Sequence, residues 1–203
     1  MRERTILFNG AMVRAILSGA KTQTRRPMKH QPQNVVIPGI GPMVAVRKAK
    51  GTDRWLWPNA REQVIAGCPF GRPGDRLWVR ETWAPRTLGR WSVLEKHMQP
   101  LYRASEDKPE WKGIWRPSIH MPRWACRLVL EITDARVERL QAISEADALA
   151  EGAMEWVGEQ NTPIRDLNAG DERIAFKALW ESTGGDWDAN PWVWVIGFRR
   201  TEQ

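Results

Sequence analysis

Residues 19–26 read Gly19-Ala20-Lys21-Thr22-Gln23-Thr24-Arg25-Arg26. On their N-terminal side, Asn9 can cap a helix over about Gly10–Leu17, with Met12, Ile16 and Leu17 near one face. Gly19 suits the helix stop, where a left-handed residue is usual. Lys21–Arg26 then reads as a strand. The order is helix then strand. A phosphate-binding loop runs the other way and needs glycine before its lysine, where this chain has Ala20, so SGAKT at 18–22 is not such a loop.

Outward from this stretch, residues 4–8 (Arg-Thr-Ile-Leu-Phe) predict a short strand, and 43–57 a hairpin closed around Gly51. Asp75–Trp83 predicts a strand introduced by the turn Pro73-Gly74-Asp75. Trp124–Leu140 is the longest strand candidate, with Cys126, Leu128, Leu130 and Ile132 alternating against Arg127, Val129 and Glu131. Ser144, with Asp147 three residues on, opens a helix that runs to about Trp156. Asp171–Glu181 predicts a second helix. Pro191–Arg200 predicts a last strand with Trp192, Trp194, Ile196 and Phe198 on one face. Twelve of the 14 prolines fall between Pro27 and Pro122, so the middle of the chain should be rich in loops and short hairpins. Strands with two or three helices imply an α+β domain around a small mixed sheet or barrel.

At 203 residues and 23.4 kDa the chain is one domain's worth, or one domain with long insertions. Hydrophobic residues at 42% and charged residues at 27% fit a soluble globular protein rather than a disordered one. No apolar run approaches the roughly 18–20 residues of a membrane span. The N-terminus lacks the unbroken apolar core of a secretory signal. Two cysteines, Cys68 and Cys126, cannot build a disulfide framework, and Cys126 is expected as a small core residue. A cytoplasmic location is the simplest expectation. The net charge of +7 and the 13 tryptophans are the ingredients of a nucleic-acid surface, where cations meet phosphates and rings stack on bases. Core tryptophans and a solubilising charge account for the same composition.

Several chemistries are excluded by their ligands. A zinc-dependent deaminase needs a Cys-x-x-Cys pair, which two distant cysteines cannot supply. His30, His97 and His120 lack metal spacing. There is no Gly-x-Ser-x-Gly elbow and no dinucleotide fingerprint.

Three stretches then stand out together: the helix running into Gly19–Arg26, the segment Pro73-Gly74-Asp75-Arg76-Leu77-Trp78-Val79-Arg80-Glu81, and Leu140-Gln141-Ala142-Ile143-Ser144-Glu145-Ala146-Asp147-Ala148-Leu149-Ala150-Glu151-Gly152. They resemble the ASCH family, whose fold is a PUA-like β-barrel. Residues 10–27, 73–84 and 118–152 carry the resemblance, and Asn190–Val195 looks like a longer, Trp-rich form carried by bacteria and their phages. The resemblance implies one PUA-like domain over 1–203, a small barrel with flanking helices and Pro-rich insertions at about 28–72 and 85–117. Some compact family members are amidohydrolases that remove the acyl group from N4-acetylcytidine. Others are regarded as RNA-binding modules, and ribonuclease activity has been proposed for some. Lys21, Thr24 and Glu151 match the catalytic Lys, Thr and Glu of the amidohydrolases in order and local context. No metal or organic cofactor is implied.

In such a reaction Thr24 would offer the attacking hydroxyl. Lys21 could accept its proton if burial or a neighbouring cation, Arg25 or Arg26, lowers its pKa from about 10.4. Glu151 would protonate the leaving cytosine nitrogen or hold the base edge. Arg26, Arg80, Glu81 and Trp83 are expected to bind substrate, with Trp83 or Trp124 stacking on the pyrimidine. In a regular strand Lys21 and Thr24 point to opposite faces, so a shared site requires irregular backbone around Lys21–Gln23. Residues 28–72 are a candidate lid. The expected ligand is a small nucleoside or nucleobase, with RNA as the alternative. Seven basic residues against Glu3 within positions 1–30, a local +6, keep that alternative open, although the same charge could serve only to depress the pKa of Lys21.

Overall fold

The computed structural model describes residues 1–47, 54–57, 59–85, 100–105 and 113–201. Its architecture is α+β. The strands are β1 (Glu3–Leu7), β2 (Gln23–Pro27), β3 (Gln33–Ile37), β4 (Gly41–Arg47), β5 (Arg54–Trp57), β6 (Arg76–Arg80), β7 (Trp83–Ala84), β8 (Leu101–Tyr102), β9 (Val129–Arg139) and β10 (Trp192–Arg200). The helices are α1 (Gly10–Leu17), α2 (Arg61–Ala66), α3 (Glu145–Ala150), α4 (Ala153–Gly158) and α5 (Glu172–Ser182).

Five strands form the main sheet in the order β1-β6-β9-β10-β2. Only the β1–β6 pair is parallel. The sheet's edges are β1 and β2, and no strand ladder joins them, so among the described residues the sheet is open and the expected barrel is not closed. A side chain spans the seam instead: Arg26 Nη2 donates to Leu7 O at 2.6 Å. The strands β3, β4 and β5 make a separate three-stranded sheet, and β7 pairs with β8.

Alternation along β10 explains how the layers stack. Trp194, Ile196 and Phe198 enter one core with Ile6, Phe8, Leu77 and Leu130, which α1 covers through Val13 and Ile16. Val193 and Val195 enter the opposite core, built on Ala148, Val157, Phe176 and Leu179 of α3, α4 and α5. Each fully buried Ile, Leu or Phe contributes about 1.5–3 kcal/mol by leaving water. A third, smaller cluster gathers Trp83, Met121, Ala125, Cys126 and Val129.

Three local expectations are corrected. The chain at 124–140 is not one strand: Arg123–Ala125 is a 3₁₀ turn and β9 begins at Val129. The helix from Ser144 does not run unbroken to Trp156. Ser144 Oγ accepts from the Asp147 N–H as expected, but Gly152 adopts φ +72 and separates α3 from α4. The strand after α1 starts at Gln23, not Lys21. Gly51, the expected hairpin turn, lies outside the described residues, although β4 and β5 do pair from Val44↔Trp57 to Arg47↔Arg54.

Candidate functional site

Asn9 Oδ1 accepts from the Met12 N–H and fixes the start of α1. At its other end Gly19 takes φ +85 and lets the chain turn back. The Lys21 N–H then bonds Ala15 O at 2.9 Å, and the Thr22 N–H bonds Ala150 O at 2.9 Å. Lys21 thus belongs to the turn after the helix, between α1 and α3, rather than to β2. Its side chain is fully enclosed, and Nζ donates to Gln23 O at 2.8 Å, Glu151 O at 2.8 Å and Glu151 Oε2 at 2.9 Å. Those bonds use all of an ammonium's donors. Burial pushes the Lys21 pKa down against the attraction of Glu151, and Arg26 and Arg25 push it the same way.

Glu151 ends α3 and is nearly as enclosed, with its side chain 4% exposed. Its other oxygen, Oε1, accepts from Arg25 Nη1 at 3.2 Å. Arg25, itself without exposure, also donates through Nη2 to Glu138 at 3.1 Å and Asp147 at 3.0 Å. Arg136 closes the network by donating to Asp147 and Glu138. Burial raises the Asp147 pKa, but the charge and hydrogen bond of Arg25, followed by Arg136, outweigh it and hold the carboxyl below its usual value. A buried ion pair is costly to desolvate. Here each charge meets its opposite at hydrogen-bond distance.

On β2, Thr24 sits opposite Ile196 and Arg26 opposite Trp194, so strand alternation puts both on one face. Thr24 is buried, and among the described residues its hydroxyl has no hydrogen-bond partner. The Arg26 guanidinium lies 5.1 Å from the Phe8 ring centroid, and Lys21 Nζ lies 5.7 Å from the same ring. Burial pushes the Arg26 pKa down, with Glu151 opposing.

Thr24, Arg25, Arg26 and Glu151 line one side of a cavity of about 340 Å³ at the open seam of the sheet. Leu7 and Met12, with Phe176, Leu179 and Trp180 of α5, supply an apolar side. The turn Thr183-Gly184-Gly185 completes the wall. Gly185 is required there, because a Cβ would come within 2.3 Å of Trp180 Nε1. The volume is within the range of small-ligand sites, about 300–1,000 Å³.

The structure brings Lys21, Thr24, Glu151 and Arg26 together. It does not bring Arg80, Glu81 or Trp83 to them. Arg80 reaches Ile119 O and stacks at 5.5 Å on Trp78. Glu81 is enclosed and takes two bonds from Arg127, at 2.8 and 2.9 Å. Trp83 is a core residue, 1% exposed, edge-on to Trp124 at 5.6 Å, so neither of its faces is offered to a ligand in the cavity. The physical reason is that β6 ends at Arg80, and the chain beyond it turns into the third core cluster. The described part of residues 28–72 contributes no lining. It packs on the first core through Met28, Val46, Val64 and Cys68, next to a separate cavity of about 320 Å³ beside Trp55 and Trp194. The expected lid is therefore replaced by α5 and the turn after it. His30 borders that separate cavity, and His97 lies outside the described residues. Cys126 is buried, as expected.

Sequence reasoning missed the wall residues Phe176, Leu179, Trp180 and Gly185. Their signal was the amphipathic period of Asp171–Glu181 followed by Gly184-Gly185, but periodicity does not say what a buried face covers. Among the described residues no group of three His, Cys, Asp or Glu side chains is arranged to hold a metal ion, and no helix is long and apolar enough to cross a membrane. No family model, curated protein or solved structure matches the chain.

Proposed function

We propose that this chain is an amidohydrolase of the ASCH, PUA-like kind, removing the acyl group from N4-acylated cytidine or a related small nucleoside. The observation that carries this reading is the convergence of Lys21 and Glu151, 130 residues apart, in one enclosed pair at 2.9 Å, with Glu151 and Thr24 on one cavity.

Thr24 Oγ1 attacks the acyl carbonyl carbon, and the carbonyl π pair moves to oxygen. The hydroxyl proton must be accepted as the bond forms. Lys21 does not line the cavity, and Glu151 does, so the carboxylate is the member of the pair that reaches the reacting atoms. With Lys21 as the free amine, Glu151 takes the Thr24 proton and passes it to Nζ. The ammonium returns it through Glu151 to the cytosine N4 as the C–N bond breaks. Water repeats the sequence on the acyl-threonine, releasing a carboxylic acid and restoring Thr24. The depressed pKa of Lys21 supports this role, because it keeps more of the amine available.

The RNA-binding alternative asks for a continuous basic track. Of the seven basic residues within positions 1–30, five are engaged internally: Arg4 with Cys68 O and Pro69 O, Arg14 with Glu159, Lys21 and Arg25 with Glu151, and Arg26 with Leu7 O. That favours a small neutral ligand over a polymer. The test is a spectrophotometric assay of N4-acetylcytidine hydrolysis by wild type, Thr24→Ala, Lys21→Ala and Glu151→Ala. Turnover lost by orders of magnitude in folded variants is the expected result. A pure, folded wild type inert on several N4-acyl cytidines would overturn the reading.

A further inference from the structure

Arg26 has more hydrogen-bonding capacity than its surroundings use. A guanidinium carries five N–H donors. One on Nη2 goes to Leu7 O at 2.6 Å, Nε is enclosed without a partner, and among the described residues the side chain makes no other hydrogen bond. An enclosed donor left unmet normally costs about 1–3 kcal/mol, more when charged, so its retention calls for a use.

The group is also held still. The Leu7 carbonyl fixes one edge of the guanidinium, and Phe8 lies 5.1 Å from it. It sits two residues from Thr24 on the same strand face and on the same cavity. Among the described residues the one carboxylate lining that cavity, Glu151, is taken by Lys21 and Arg25 and makes no hydrogen bond to Arg26. Among the cations that line the cavity, both Nη groups of Arg25 are paired with carboxylates, whereas Arg26 bonds only the Leu7 carbonyl; the Nε of each is enclosed without a partner.

We propose that Arg26 is the electrophilic residue of this cavity, binding the acyl carbonyl oxygen of the ligand and holding the negative charge that gathers there when the carbonyl is attacked. The proposal rests on the amidohydrolase reading. As the bond from Thr24 Oγ1 to the carbonyl carbon forms, the π pair becomes a lone pair on oxygen. Arg26 donates hydrogen bonds to that oxyanion and loses no proton. The pair returns to re-form the carbonyl as the bond to N4 breaks. A cation already held on the cavity wall needs little reorganisation at that moment, which is why such groups contribute heavily to rate.

The test is calorimetric titration of cytidine and of N4-(methylphosphonyl)cytidine, an anionic tetrahedral mimic of the attacked acyl group, into wild type, Arg26→Gln and Arg26→Lys, alongside N4-acetylcytidine kinetics. Wild type is expected to prefer the phosphonyl compound. Arg26→Gln is expected to lose about 10²–10³ of that preference and of kcat, with cytidine affinity and KM within about threefold. Arg26→Lys, which keeps the charge but not the fork, is expected to recover only part. Thermal unfolding checks that the seam survives. If Arg26→Gln does not fold, Arg26→Lys decides, and a preference equal to wild type overturns the proposal. So does a loss in Arg26→Gln that falls equally on cytidine and the phosphonyl compound, because that marks a collapsed cavity. A wild type that hydrolyses N4-acetylcytidine while Arg26→Gln keeps full kcat overturns the role of Arg26 alone. A wild type that binds neither compound and hydrolyses nothing overturns the hydrolase reading and the role of Arg26 with it.

Discussion

Lys21 and Thr24 lie three positions apart and contribute to different properties. Removing Lys21 leaves the Glu151 carboxylate enclosed with one of its two cations gone. Losing one partner of a buried pair costs about 3–5 kcal/mol. Lys21→Met should therefore lower urea stability by roughly that amount. The Thr24 hydroxyl has no partner among the described residues, and exchanging it for a methyl group breaks no hydrogen bond. Thr24→Val should keep stability within about 1 kcal/mol of wild type while hydrolysis falls by about 10³ or more. Equal stability losses in the two variants would contradict the assignment. The pH dependence follows from the same lysine. Its pKa is pushed down by burial, and the proposed step needs the amine. The rate constant kcat/KM should rise with pH through that lowered pKa and level off below the model-compound value of about 10.4. Lys21→Arg, which stays charged across this range, should abolish the limb.

At the scale of elements, α3 is held to β2 and β9 by charge as well as by packing. Asp147 accepts from Arg25 on β2 and Arg136 on β9. Because its folded pKa lies below the unfolded value near 3.8, its stabilisation is fully present above about pH 4 and is lost as pH falls through the folded value. Asp147→Asn should flatten the acid limb of the unfolding free energy measured by urea titration. The α3–α4 junction offers a sharper test. Gly152 has φ +72, and a Cβ there would lie 3.0 Å from Ala15 Cβ and 3.1 Å from Lys21 Cβ. Left-handed backbone alone costs a non-glycine residue about 1–2 kcal/mol. Gly152→Ala should therefore destabilise by about 2 kcal/mol or more, and lower kcat because the clash falls on Lys21. A variant with wild-type Tm and kcat would show that the junction adapts freely.

Across the whole molecule, what the sequence revealed and what it hid follow a physical line. Local periodicity located nearly every strand and helix of the main sheet. The parity of Lys21 and Thr24 demanded irregular backbone if the two were to share a site, and the chain from 18 to 22 is a turn, with β2 starting at Gln23. Alternation also told which residues of β10 share a face. It could not tell that β6 ends at Arg80, and this is why Glu81 and Trp83 were expected at a pocket when Glu81 pairs with Arg127 and Trp83 packs in a third cluster. Whether β1 and β2 close on each other depends on distant pairing that no local pattern encodes. Charge was the least informative signal, since five of the seven basic residues near the N-terminus are held by bonds within the chain, Lys21 and Arg25 of them buried. A 20-mer single-stranded RNA should accordingly bind no better than non-specifically, with Kd of about 10⁻⁶ M or weaker at physiological salt in a filter-binding titration.

The strand β10 gives Trp194 and Ile196 to one core and Val193 and Val195 to the other. Neither core can loosen at that strand without opening its neighbour. Its amide hydrogens, held between β9 and β2, should be the last in the protein to exchange with deuterium, and at rates set by global opening rather than local fraying. The two halves of the molecule then have one melting event between them.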